Sequence, residues 1–254
     1  MIINFPQMNV FINALPKFRP HRTFFKDIRM IVFNISGTII DDRDIVSRSL
    51  FNTIKKYNPT IEESDIHHIP GFNNHEVLDF YLYNNSLCNY ENSKKEIHNT
   101  FDAELLEQYK NNPNIKLVSD NIFKLFQNIR KQNIRVAINT DYNKDIQHAI
   151  LQRFNLYDSI DSYVCSDDVK LGKPYPYMIY SLMEKNNIIS PKHVLKIGHT
   201  HEDIFEGYNA KCHATIGVLS GVGTTSTLRT KFIINDVCDI NVLDYHSIVN
   251  NKID

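Results

Sequence analysis

Met30-Ile31-Val32-Phe33-Asn34-Ile35-Ser36-Gly37-Thr38-Ile39-Ile40-Asp41 is the stretch on which the fold reading turns. Four apolar residues in an unbroken run lead into a polar turn containing glycine. A continuous run, as opposed to an alternating one, fits a strand covered on both faces, as in a parallel sheet. Four further runs read the same way, over 134–138, 194–197, 214–219 and 232–234. Helical patterns separate them over 121–132, 144–154, 175–186 and 202–210. Strand and helix in alternation predict an α/β fold, a Rossmann-like doubly wound parallel sheet. The stretch 44–115 lacks a strand pattern and reads as helices over 45–57, 74–84 and 93–110. An all-helical insertion after the first strand is therefore expected. The chain divides into an extension over 1–27, a core over 28–43 and 116–254, and the helical insertion over 44–115.

Composition narrows the function classes. The 254 residues are 42% hydrophobic and 22% charged, so a buried core is feasible and wholesale disorder is excluded. A net charge of −1 gives no electrostatic reason to expect a nucleic-acid or acidic-membrane partner. No apolar run approaches the roughly 18 residues of a membrane span. Cys88, Cys165, Cys212 and Cys238 form no C-x-x-C pair, so neither a disulfide framework nor a zinc site is expected, and a reducing, cytoplasmic compartment is the default. The basic leader has no acid before Asp27, but Pro6, Pro16 and Pro20 and its lack of serine argue against a transit peptide. The 29 Asn and 33 Ile, with no Trp, read as a low-GC codon effect carrying no functional message at most positions.

Ligands of open parallel sheets bind at the carboxyl ends of the strands. The candidate segments are therefore Asn34-Ile35-Ser36-Gly37-Thr38, Asn139-Thr140-Asp141, Lys170-Leu171-Gly172-Lys173-Pro174 and Gly198-His199-Thr200-His201-Glu202-Asp203. Together, in this order and spacing, they resemble the four motifs of the haloacid dehalogenase-like (HAD) superfamily of phosphohydrolases. The first motif, D-x-D-G-T after an apolar strand, is matched by residues 34–38, the second by Thr140, the third by Gly172-Lys173-Pro174, and the fourth, G-D-x-x-x-D, by residues 198–203. Glu206-Gly207-Tyr208-Asn209-Ala210 and Leu219-Ser220-Gly221-Val222-Gly223-Thr224 look like the phosphonatase-like branch, which carries a helical cap after the first motif. The cap lysine with which phosphonoacetaldehyde hydrolases form a Schiff base aligns nearest Asn74, which counts against phosphonate C–P cleavage.

The resemblance implies a chemistry that needs specific acids. The first aspartate attacks phosphorus, the second moves the leaving-group proton, and Mg²⁺ sits between the first aspartate, a backbone carbonyl of the first motif and an acid of the fourth. Here those positions hold Asn34, Ser36 and His199, and of the four acids only Asp203 remains. Thr140 and Lys173, the phosphate-holding pair, are present. The charge count then reads as three lost acids and a retained cation, with Lys173 and His199 facing the neutral groups of Asn34, Ser36, Thr38 and Thr140. The expectation is a catalytically inactive member with no cofactor. Its Asn34, Ser36, Thr140, Lys173 and His199 would bind a small anionic or phosphorylated ligand, or the chain would bind a protein partner, with a homodimer as one form. The alternative is an active phosphatase- or phosphonatase-like hydrolase with Mg²⁺ on a weak site at Asp203, or with Ser36 as nucleophile and His199 as its base. The stretch His199-x-His201-x-Asp203 is a second candidate metal cluster. His67-His68 and Glu62-Glu63 read as solvated, and Thr224-Thr225-Ser226-Thr227 as a polar loop or helix start.

Overall fold

The five expected strands lie side by side in one six-stranded sheet, joined by a sixth strand the sequence did not announce; the order is β5-β4-β1-β6-β7-β8, every neighbouring pair parallel. They are β1 (Met30–Asn34), β4 (Arg135–Thr140), β5 (Ser162–Cys165), β6 (Val194–Gly198), β7 (Ala214–Val218) and β8 (Phe232–Ile234). A separate antiparallel pair, β2 (Ile40–Asp41) and β3 (Lys116–Leu117), joins the points where the chain leaves and re-enters the core. This computed structural model describes residues 28–66, 73–83 and 90–240. The expected 1–27 extension, His67-His68, Gly71-Phe72, Cys88 and residues 241–254 lie outside the described residues.

The apolar strand runs are buried on both faces, and their side chains alternate between two cores. Ile31, Phe33, Val136 and Ile138 face one core, where Phe33 meets Phe126 with ring centroids 5.2 Å apart. Met30, Val32 and Ala137 face the other, against Met178, Ile179 and Leu182. The first core is covered by α4 (Ile122–Lys131) and α5 (Lys144–Arg153), the second by α6 (Tyr177–Lys185) and α7 (His201–Asn209). A short α8 (Thr225–Leu228) starts at Thr224, whose hydroxyl caps the Thr227 amide, so this segment is a helix start.

Among the described residues of the expected insertion lie three α-helices, α1 (Ile45–Tyr57), α2 (Asn74–Tyr83) and α3 (Tyr90–Asn111). They pack on one another, and α3 also packs on α5. Arg153 on α5 donates to the carbonyls of Tyr109, Asn112 and Ile115, tying the end of α3 to the core.

Two features depart from the sequence reading. Strand β5 carries no apolar run: it is an edge strand whose Ser162 and Tyr163 are half-buried, so it pairs on one side only and needs no continuous hydrophobicity. The asparagine excess also has a structural share. Asn133, Asn155 and Asn187 follow α4, α5 and α6 with φ of 59°, 52° and 55°. That left-handed position closes a helix and, glycine apart, suits asparagine best.

Candidate functional site

The site forms where strand order reverses around β1. Asn34 ends β1, Thr140 ends β4, and His199 follows β6. A cleft of about 320 Å³ opens over them, lined by Asn34, Ser36, Asp42, Thr140, Lys173 and His199 among others. Asn34, Ser36, Thr140, Lys173 and His199, the five expected ligand-binding residues, thus converge. Thr38 does not join them: it is fully buried and its hydroxyl has no partner. A smaller space of about 170 Å³ adjoins the cleft toward α2 and α3, and Asn74 lines both. A carboxamide at that place supplies no amine for a Schiff base.

Each side chain in the floor has its hydrogen bonds assigned by its neighbours. Asn34 Oδ1 accepts from Lys173 Nζ at 2.9 Å, and Asn34 Nδ2 donates to the Ser36 carbonyl at 2.8 Å. An ammonium only donates and a carbonyl only accepts, so the amide's orientation is fixed. Its Nδ2 also lies 3.1 Å from His199 Nδ1, which is therefore the acceptor, and the ring proton sits on Nε2. The Ser36 hydroxyl donates to Asp42, whose Oδ2 also accepts from Tyr109 at 2.7 Å, and Tyr109 and Tyr142 share a 2.6 Å hydrogen bond. Burial, with Tyr142 and Asp42 close by, holds the Tyr109 phenol well above its ordinary range. Thr140 Oγ1 accepts from the Tyr142 amide at 3.3 Å.

Beneath the floor lies a buried ionic network that corrects the charge count. Lys173 Nζ meets Asn34 Oδ1, Asp141 Oδ2 at 3.2 Å and Asp203 Oδ1 at 2.9 Å. Lys196 Nζ meets Asn139 Oδ1 at 2.6 Å, Asp203 Oδ1 at 3.1 Å and Glu206 Oε2 at 3.1 Å. Each ammonium thus has one asparagine hydrogen bond and two carboxylate ion pairs around it. Lys173 is thus not a spare cation among neutral donors: Asp141 and Asp203 balance it, and Asp42 restores a carboxylate beside Ser36. Asp203 Oδ2 accepts from the His199 and Thr200 amides and the Thr200 hydroxyl, at 3.0, 3.2 and 3.1 Å. Glu206 is held by Asn139 Nδ2 at 2.7 and 2.8 Å.

The network sets opposing protonation tendencies. Burial works to raise the Asp203 pKa, but Lys173 and Lys196 outweigh it and hold the carboxyl well below the carboxylate range. Burial works to lower the Lys173 pKa, and Asp141, Asp203 and Glu206 outweigh it, holding the ammonium above the lysine range. For Glu206 burial prevails over Lys196 and Lys173, and its pKa rises. The Asp203 contribution to stability is fully present above its unfolded value of about 3.9 and drains as pH falls toward its folded value. Lys173 contributes fully below about 10.4, and that contribution drains as pH rises toward its folded value. Glu206 has the reverse sign to Asp203 and makes the acid loss shallower. Thermal melts across pH are expected to show a plateau falling on both sides. A melting temperature that rises as pH drops below about 4 would contradict this balance.

The donor set does not fit Mg²⁺. The Ser36 carbonyl accepts an amide proton from Asn34, Asn34 Oδ1 is held by Lys173, and Asp203 accepts three hydrogen bonds on Oδ2 while its Oδ1 is paired with Lys173 and Lys196. The stretch His199-x-His201-x-Asp203 does not converge either, because the His201 ring stacks on Phe205 at 4.1 Å. Among the described residues no group of three or more His, Cys, Asp or Glu is placed to hold a metal ion, and no helix is long and apolar enough to cross a membrane.

Asp42, Lys196, Tyr109 and Tyr142 were not singled out from the sequence, and Asn139, Asp141 and Glu206 were named there only as members of quoted segments, with no role. Lys196 had a signal, since it interrupts the apolar run Val194-Leu195-Lys196-Ile197, and a lysine inside a strand covered on both faces needs buried acceptors.

With fold and site in hand, comparison with known proteins agrees on the family. The sequence pattern of the haloacid dehalogenase-like hydrolases matches residues 31–217, and the chain belongs to that family. A protein named pyrophosphatase PpaX from Oceanobacillus iheyensis is 24% identical over 216 residues, covering 84% of this chain and 95% of the relative. A HAD hydrolase of family IA, variant 3, from Entamoeba histolytica superposes with a TM-score of 0.71 at 21% identity, covering 88% of this chain and 100% of that one. A phosphonoacetaldehyde hydrolase-like protein from Oleispira antarctica gives 0.71 at 17% identity, covering 89% and 96%.

Proposed function

We propose that this HAD-family chain holds a small phosphorylated ligand in the cleft over Asn34 and Thr140 and does not hydrolyse it through an aspartyl phosphate. Asn34 carries the reading. An acyl-phosphate route needs a carboxylate nucleophile, and residue 34 offers a neutral amide oxygen already bound to Lys173. Ligand binding needs one of the three Lys173 acceptors to yield. Asp141 is the one able to do so: its side chain is 34% exposed, whereas that of Asp203 is fully buried. A phosphoryl oxygen would then take the vacated proton of Lys173.

A second reading, an active phosphatase of small phosphorylated metabolites, has two supports. The relative is named a pyrophosphatase, and Asp42 puts a carboxylate one hydrogen bond from Ser36, the position of the family's second acid. The deciding experiment follows phosphate release from pyrophosphate and p-nitrophenyl phosphate in excess MgCl₂, with calorimetric titration of inorganic phosphate alongside. The expected result is binding, weakened in Thr140→Val, with no release above an Asn34→Ala control. Release that survives Asn34→Ala and is abolished by Asp42→Asn would establish the second reading instead.

A further inference from the structure

We propose that the Asn34 carboxamide takes the place of a divalent cation in this centre, so that Asn34 and His199 act as one metal-independent unit. The inference stands on the hydrogen-bond geometry alone and does not depend on what the cleft binds. The resemblance implies a cation between the residue 34 oxygen, a backbone carbonyl of the first motif and a fourth-motif acid, and the first-motif carbonyl beside the residue 34 side chain is that of Ser36. Each of them faces a proton donor instead. The Ser36 carbonyl receives Asn34 Nδ2 at 2.8 Å, so partial positive charge lies on the carbonyl that a cation would have polarised. The second proton of the same amide points at His199 Nδ1, 3.1 Å away, and the amide oxygen receives Lys173. Both amide protons and the amide oxygen are thereby engaged, and Lys173 and the Ser36 carbonyl each accept only one orientation of the carboxamide.

The two substitutions are interdependent. A carboxylate at position 34 would put one oxygen where Nδ2 stands, against both the Ser36 carbonyl and His199 Nδ1; the ring could answer by carrying its proton on Nδ1, but the carbonyl has no proton to offer, and a cation would relieve that contact. A carboxylate at position 199 with Asn34 retained would lack the second oxygen ligand that a hard cation demands. His199 is also locked in place: a Cβ added at Gly37 or Gly221 would lie 2.5 or 2.2 Å from its Cδ2. The acceptor nitrogen is thus positioned by close packing on both sides.

The test compares thermal melts of the wild type, Asn34→Asp, His199→Asp and the double variant in EDTA and in MgCl₂, with Mn²⁺ electron paramagnetic resonance as a direct count of bound cation. Binding to the folded state alone raises the melting temperature. The wild type is expected to melt identically in both media and to leave the free Mn²⁺ signal unchanged. Each single variant should melt below it in EDTA. The double variant should gain stability in MgCl₂ and deplete the Mn²⁺ signal. A wild type stabilised by MgCl₂, or a folded double variant indifferent to both ions, would overturn the proposal. Should the double variant fail to fold, the wild-type comparison decides alone.

Discussion

Lys196→Met is expected to destabilise the protein by about 3–5 kcal/mol, because removing one member of a buried ion set leaves its partners charged and unpaired. For a chain of this size that lowers the melting temperature by roughly 6–20 °C. Lys196 is fully buried, and Asp203 and Glu206, both on α7, each lie 3.1 Å from its ammonium. Methionine conserves the volume but abandons Asp203 to Lys173 and leaves Glu206 with Asn139 alone. The loss belongs to the stranded carboxylates and not to missing packing. Lys196→Met combined with Asp203→Asn and Glu206→Gln should therefore recover part of it. Melts in which the triple variant is no more stable than the single one would refute that attribution.

Gly198→Ala is the second large effect. A Cβ at Gly198 would lie 2.2 Å from Asp203 Cγ and 2.3 Å from its Cβ. Neither atom is the end of a flexible chain: the carboxylate is pinned by the His199 and Thr200 amides and by both lysines. The methyl group must drive Asp203 off Lys173 and Lys196 or push β6 away from α7. Overpacking alone costs about 1–3 kcal/mol, and breaking the ion set brings the expected total to about 3–5 kcal/mol. Chemical denaturation should show the loss, accompanied by a flatter acid limb because Asp203 no longer has its full depression. An unchanged acid limb would mean that Asp203 keeps its lysines.

The fold was legible wherever burial on both faces left continuous apolar runs, as at β1, β4, β6 and β7. It was illegible where pairing needs little hydrophobicity, at the edge strand β5 and at the two-residue strands β2 and β3. The site positions were legible because strand ends locate them: Asn34, Ser36, Thr140, Lys173 and His199 do meet. Their electrostatics were not. Motif positions alone gave Lys173 no acid but Asp203, whereas the chain supplies it with Asp141 from the residue after Thr140, sets Asp42 from a turn six residues past Ser36 against that serine, and pairs Glu206 from the helix after β6 with Lys196. Charges contributed by the residues flanking a motif are fixed by tertiary packing, and spacing along the chain does not reveal them.

The two lysines and their carboxylates also govern the order in which such a centre can decay. The groups at positions 34, 36 and 199 border the cleft, and each can trade a carboxylate for a neutral group with water or a neighbouring donor to compensate. Lys196, Asp203 and Glu206 have no such freedom, because each is fully buried, and Lys173, though it lines the cleft, is held to Asp203; losing any one of the four strands another. A lineage relieved of the need to turn over substrate would shed the outer acids by single steps while stability selection alone retained the inner four. The residues by which descent stays recognisable would then be those the fold cannot release, whether or not chemistry still uses them.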